Sequence, residues 1–188
     1  ENWSMEELSS VSIDDEKAGE TIVDYLIEHG HTKIAEIGAN LELSQTARLR
    51  HNGYLNSLKK HGITPDERYY ERARFSYDSA YRAMKKLLEK DIEITAVYAI
   101  SDVMAIGALR AILDKGLRVP EDISITGFDG STLAEYYNPK IVSIRQPHKD
   151  MAARSVELLF NMIDLHKGSC HEIIPFELTE GESVARID

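Results

Sequence analysis

Cysteine occurs once in the 188 residues, at Cys170. That excludes an internal disulfide and a zinc site built on cysteines, and it fits a reducing compartment. Long apolar runs are missing as well. None approaches the roughly 18 residues of a membrane span, and the first residues, ENWSMEELSS, are acidic, unlike a secretory leader. Basic charge is scarce: 22 Lys and Arg stand against 32 Asp and Glu, for a formal net charge of -10 spread along the chain. Lys and Arg supply most non-specific affinity for nucleic acid, so this chain alone is a poor DNA binder. The signatures of common catalytic sites are absent too. There is no Gly-x-Ser-x-Gly, no Walker glycine loop, no dinucleotide fingerprint and no His-Glu-x-x-His. The expectation is a protein that is not an enzyme and needs no cofactor or metal.

What is present is 43% hydrophobic and 29% charged, the composition of a soluble globular protein able to bury a substantial core. The stretch from Ile94 to Pro147 organises it. An apolar run (Ile94 to Ile100) leads to Asp102, which can cap a helix, and then to Ala105, Ile106, Leu109, Ile112 and Leu113 at helical spacing. Gly116 stops that helix, and a second apolar run ends in Gly127-Phe128-Asp129. Strand, helix and strand in this order form a parallel crossover. Ligands of open parallel sheets sit at the carboxyl ends of the strands, where Ser101, Asp102 and Asp129 fall.

The rest of the chain alternates in the same way. A helix with Ala18, Ile22, Val23, Leu26 and Ile27 on one face starts at Asp14 or Asp15 and stops at Gly30. Lys33 to Gly38 reads as a strand, followed by a helix capped by Ser44 that carries Arg50 and Gly53. Gly53 costs roughly 1 kcal/mol against Ala in a helix, so it points to close packing. A short strand near Tyr69 to Ala73, a helix capped by Ser76, a strand from Ile141 to Gln146 and a helix with Ala152, Val156, Leu159 and Ile163 follow, the last stopping at Gly168. Residues 173–178 read as an edge strand marked by Pro175, and Ser183 to Ile187 as a further short strand. The expected fold is α/β with a doubly wound parallel sheet.

The wording of the central stretch resembles one family. SDVMAIGALRAILDKGLRVPEDISITGFD, followed by NPKIVSIRQP, carries Asp-x-x-Ala-x-Gly, Gly-Leu-x-Val-Pro-x-Asp-Ile-Ser, Gly-Phe-Asp and a later Gln-Pro. This is similar to the effector-binding core of the lactose/galactose repressor (LacI/GalR) family of bacterial transcription regulators. The resemblance implies a periplasmic-binding-protein-like fold of two lobes joined by crossovers near Asp14, Gly130 and Gly168. Residues 14–130 with 169–188 would form a nearly complete C-terminal lobe. Residues 131–168 would be the returning part of the N-terminal lobe, and 1–13 its end and the first crossover. The DNA-binding headpiece would precede residue 1.

The same resemblance implies site residues. Arg50, in the Arg-x-x-Gly-Tyr spacing, would donate to ligand hydroxyls or a carboxylate. Phe75 either covers the ligand ring or closes a strand end as core. Asp129, at a strand end, would accept from ligand hydroxyls. Ser101 stands where sugar-responsive relatives often carry Asn. Asp102 is a candidate contact that reads better as a helix cap, and Trp3 either reaches the cleft or anchors the terminal loop. For a homodimer, Ile106, Leu109, Tyr136 and Tyr137 are the expected interface, with core as the competing role for Ile106 and Leu109. The implied function is a cytoplasmic, effector-responsive repressor with a small effector of the sugar type as partner and no membrane contact. It would bind operator DNA only through the headpiece. The alternative is a periplasmic-type sugar-binding protein of a transport system.

Overall fold

Apolar runs with no alternation belong in strands covered on both faces, and the run from Ile94 to Ile100 supplies one of the two central strands of the sheet. The computed structural model describes residues 9–165 and 169–187. In chain order the elements are β1 (Ser10–Ser12), α1 (Asp15–Glu28), β2 (Ile34–Gly38), α2 (Gln45–Lys60), β3 (Tyr70–Arg72), α3 (Tyr77–Glu89), β4 (Ala96–Ala99) and α4 (Asp102–Asp114). Then come β5 (Ser124–Thr126), α5 (Thr132–Tyr136), β6 (Ser143–Arg145), α6 (His148–Leu165), β7 (His171–Ile173) and β8 (Glu177–Thr179). The chain divides into two compact units at Asp14/Asp15, Arg145/Gln146 and Phe176/Glu177.

In the larger unit a parallel four-stranded sheet has the order β3-β2-β4-β5. Every residue of β2 and β4 is buried. Helices α1 and α2 pack together, as do α3 and α4, giving the doubly wound α/β arrangement expected from the alternation. Past β5 the sheet is continued by the segment leading into β6. Gly127 N donates to Val142 O (2.9 Å) and Asp129 N to Ile144 O (2.8 Å), and β8 pairs antiparallel with β6. In the smaller unit β1 and β7 pair in parallel, and α6 packs on β1.

These pairings move the unit boundaries from the expected crossovers. Residues 131–145 stay with the larger unit, because β6 is bonded to the strand-end segment of β5 rather than released near Gly130. Residues 169–176 belong to the smaller unit, because β7 is the partner of β1. The single strand expected over 173–178 is two strands in different sheets with Pro175 between them, since proline cannot donate to a ladder. Ser183 to Ile187 forms no strand. It is tied instead by Ile125 N to Ser183 O (2.8 Å) and Ile187 N to His29 O (2.9 Å). The expected apolar face of α6 is also different. Val156, Leu159 and Ile163 are 52%, 56% and 60% exposed and Leu158 is buried, because a two-stranded sheet covers only one stripe of a helix. The helix stop expected at Gly168 lies outside the described residues.

Two features set up the site. The first is the α1–α2 contact, which two glycines make possible. A Cβ on Gly53 would stand 2.3 Å from Glu16 O, and one on Gly19 would stand 2.7 Å from Arg50 O. The helices approach backbone to backbone, which brings the start of α1 beside Arg50. The second is a buried polar row. The register sets Tyr70, Glu36, Tyr98 and Thr126 side by side across the sheet. Glu36 is fully buried, and His51 Nδ1 lies 2.6 Å from its Oε2. Burial pushes the Glu36 carboxyl up, against the bond and charge of His51. Burial alone would pull the His51 imidazole down, but its bond to Glu36 and the charge of Glu36 outweigh that and leave it raised.

Replacing Gly53 by Ala separates packing from propensity. Ala gains about 1 kcal/mol of helix propensity, but its methyl group meets backbone atoms that cannot yield. Overpacking wins, so Gly53→Ala is expected to lose about 2 kcal/mol in urea unfolding. An unchanged or raised midpoint contradicts the close approach.

Candidate functional site

Arg50 lies in the middle of α2, where a long cation would ordinarily face water, yet it is 4% exposed. Its Nε donates to Asp15 Oδ1 at 2.8 Å and its Nη1 to Ile100 O at 2.7 Å, the last carbonyl of the apolar run through β4. The guanidinium carbon stands 3.6 Å from the Phe128 ring centroid, a cation–π contact, and Nη1 is 3.5 Å from Asp129 Oδ1. A guanidinium has five N–H donors. Nε and Nη1 are engaged by Asp15, Ile100 O and Asp129, which leaves Nη2 for a ligand at the carboxyl edge of the sheet.

Asp129 is held at φ +117°, the sole non-glycine residue at positive φ among those described. A non-glycine residue there is strained, and such strain persists where the surroundings over-determine it. Here the bond from its N–H to Ile144 O fixes the backbone, and its side chain keeps 31% exposure beside Arg50. The structure thus brings Arg50 and Asp129 together. It adds two residues that the sequence reading missed: Asp15, taken as a possible helix cap, and Phe128, taken as strand. No local signal marks either one, since Asp15 is 35 residues from Arg50.

The other expected residues are placed differently. Ser101 is the N-cap of α4, with its hydroxyl accepting from Met104 N, and it is 3% exposed. The capping role expected of Asp102 therefore belongs to Ser101. Asp102 is the first helical residue, 1% exposed, and its carboxylate is consumed within the protein: Oδ2 accepts from Ser131 N and Oδ1 from Ser143 Oγ, both at 2.6 Å. It braces the turn that follows Asp129 and is not open to a ligand. Burial pushes its carboxyl up, partly offset by those bonds. Gly127 is required here, because a Cβ would stand 2.3 Å from Asp102 Oδ1. Phe75 follows β3 on the same carboxyl edge and is 50% exposed. Leu109 is fully buried and Ile106 is 7% exposed, which puts both in the core rather than on an outer face, while Tyr136 is 82% exposed and Tyr137 partly so. Trp3 lies outside the described residues. Among the described residues no group of His, Cys, Asp and Glu could hold a metal ion, and no helix is long and apolar enough to cross a membrane.

The architecture defines a class: an open, parallel α/β unit with a polar cluster at its carboxyl edge and a second unit reached by crossovers. Known proteins match it. The description of a periplasmic binding protein-like domain fits residues 23–184. The HTH-type transcriptional regulator MalR of Clostridium butyricum is 41% identical over 179 residues, which is 95% of this chain and 53% of the relative. The transcriptional regulator CelR, solved in complex with cellobiose, matches with a TM-score of 0.91 at 34% identity, over 96% of this chain and 55% of that one. A LacI family regulator from Enterococcus faecium with bound ribose matches with a TM-score of 0.90 at 27% identity, over 100% of this chain and 69% of that one. The chain spans about half the length of the curated relatives it matches. It belongs to the periplasmic binding protein-like domain family, in the branch carried by LacI/GalR-type regulators.

The bracing role of Asp102 has a direct test. Asp102→Asn keeps size and shape, but its amide sets a donor against either the Ser131 N–H or the Ser143 hydroxyl. The expected loss in urea unfolding is about 1–3 kcal/mol, the cost of a buried unsatisfied donor. A variant as stable as the parent contradicts the role.

Proposed function

We propose that this chain is the effector-binding part of a LacI/GalR-type transcriptional repressor and that its effector is a small sugar bound at the carboxyl edge of the larger unit. One observation carries the reading: Arg50 is buried and fixed by Asp15 and Ile100 O, yet keeps Nη2 beside the partly exposed carboxylate of Asp129. A fixed donor next to a fixed acceptor suits vicinal hydroxyls, which both donate and accept. Phe75, on the same edge, supplies an apolar face. The sugars held by two of the matching regulators, cellobiose and ribose, favour the same class, and the regulator names favour a repressor over a transport protein. Ser101 and Asp102 act in this reading as supports of the edge, not as contacts.

The larger unit is the C-terminal lobe and the smaller unit part of the N-terminal one. The complete protein works in the cytoplasm and reaches operator DNA through a headpiece outside this sequence. Regulation then needs no chemistry on the effector. The effector must bind one conformation better than another, with a coupling of about 1–3 kcal/mol. A homodimer is part of this proposal, with the exposed Tyr136, Leu133 at 47% exposure and Tyr137 as the surface that meets a second copy.

The test is a thermal-shift screen against hexoses, pentoses, disaccharides, sugar phosphates and purines, followed by calorimetry on any hit. A ligand at a hundred times its dissociation constant adds about 2.7 kcal/mol. Asp129→Asn tolerates positive φ and leaves the Arg50–Asp15 pair intact, so it keeps the fold while removing the charge. The expected result is a sugar hit that Asp129→Asn weakens by about tenfold or more, the worth of a hydrogen bond to a charged group. A hit indifferent to Asp129→Asn, or one confined to purines, contradicts the reading.

A further inference from the structure

The larger unit carries a cavity of about 560 Å³, which neither Arg50 nor Asp129 lines. It lies along the flank of α2 beside β3, the edge strand of the sheet. Its size falls within the roughly 300–1,000 Å³ typical of small-molecule sites. Leu41, Leu55 and Pro65 give it an apolar surround, and Tyr54 and Tyr70 give it aromatic walls.

Those walls are already fixed. The Tyr54 hydroxyl donates to Ile34 O at 2.9 Å and the Tyr70 hydroxyl to Ala39 O at 2.7 Å, so both tyrosines spend their polar ends on the protein. His51 is clamped by the buried Glu36 and stands edge-on to Tyr70, with ring centroids 5.2 Å apart. A glutamate inside a fully buried strand is a costly choice, and the effector site makes no use of it. Its effect is to hold the imidazole rigidly in the cavity wall.

The remaining charge has one sign. Asp66 and Glu67 are the acidic residues of the lining, and no Lys or Arg lines it. Asp66 is paired with Arg68, while among the described residues no cation lies within ion-pair distance of Glu67. Aromatic faces attract ammonium groups. An apolar surround, the partly exposed Tyr70 ring and an exposed carboxylate are complementary to one kind of molecule.

We propose that this cavity is a binding site for a small arylalkylammonium ligand, with its ring among Tyr54, Tyr70 and Leu55 and its charge at Glu67. The site is independent of the effector reading and stands or falls separately from it. The experiment is an NMR titration of the protein with three probes of equal shape: phenethylammonium, 2-phenylethanol and phenylacetate. The reporters are the His51 ring signals and the Tyr70 amide, with the Phe128 and Asp129 amides as controls.

The expected result is saturable shifts of His51 and Tyr70 by phenethylammonium, with a dissociation constant of about 1 mM, weaker shifts by the alcohol and none by phenylacetate. The Phe128 and Asp129 signals stay in place. Glu67→Gln, an exposed substitution that spares the fold, weakens the ammonium about threefold, and Tyr70→Leu weakens it further. Equal or tighter binding of phenylacetate overturns the proposal, as does an ammonium affinity unchanged in Glu67→Gln. The absence of saturable shifts with all three probes overturns it too.

Discussion

The buried ion pair of Arg50 and Asp15 is the constraint on which the site depends. A guanidinium taken out of water pays a desolvation penalty of several kcal/mol, which is recovered only with excellent geometry and further bonds. Here the recovery is spread over Asp15 Oδ1, Ile100 O, the face of Phe128 and the carboxylate of Asp129. The partners come from three separate parts of the chain: the start of α1, the end of the β4 run and the end of the β5 run. Fixing one side chain therefore fixes three segments at one edge of the sheet, and the donors left over are held in place for a ligand.

The packing below explains how the pair can form. Glycines at 19 and 53 let α1 and α2 touch through their backbones, and larger residues would hold the start of α1 away from Arg50. On the other side, Asp102 ties α4 to the turn after Asp129 through Ser131 and Ser143. Gly127 gives that carboxylate its room. The strained backbone of Asp129 is thus gripped from both directions, by Ile144 O in the continued sheet and by the braced turn that follows it.

Much of this was legible in the sequence. The apolar run from Ile94 to Ile100 and the one ending in Gly127-Phe128-Asp129 read as buried strands, and the glycine inside α2 read as a contact. The wording around Gly127-Phe128-Asp129 led to the family and, through it, to Arg50. What was not legible follows from physical causes. A capping residue and its neighbour are indistinguishable when both are polar, so the cap read at Asp102 belongs to Ser101. Helical periodicity gives an apolar face but not what covers it: Leu109 lies in the core, while Val156, Leu159 and Ile163 lie exposed. Pairings across many residues leave no local trace, which is why Asp15 read as a cap and the Glu36–His51 pair went unnoticed. The unit boundaries shifted because the bonding of β6 to the end of β5 depends on register, and register is not written in composition.

The most direct measurement is a double-mutant cycle on Asp15 and Arg50, read by urea unfolding of Asp15→Ala, Arg50→Met and the combined variant. If the pair is the constraint described, each single change leaves a buried charge without its partner and costs about 3–5 kcal/mol. The double variant then costs clearly less than the sum of the two, leaving a coupling of about 2–3 kcal/mol. Costs that simply add would mean that the two residues act independently, and that Arg50 is held at the sheet edge by something other than Asp15.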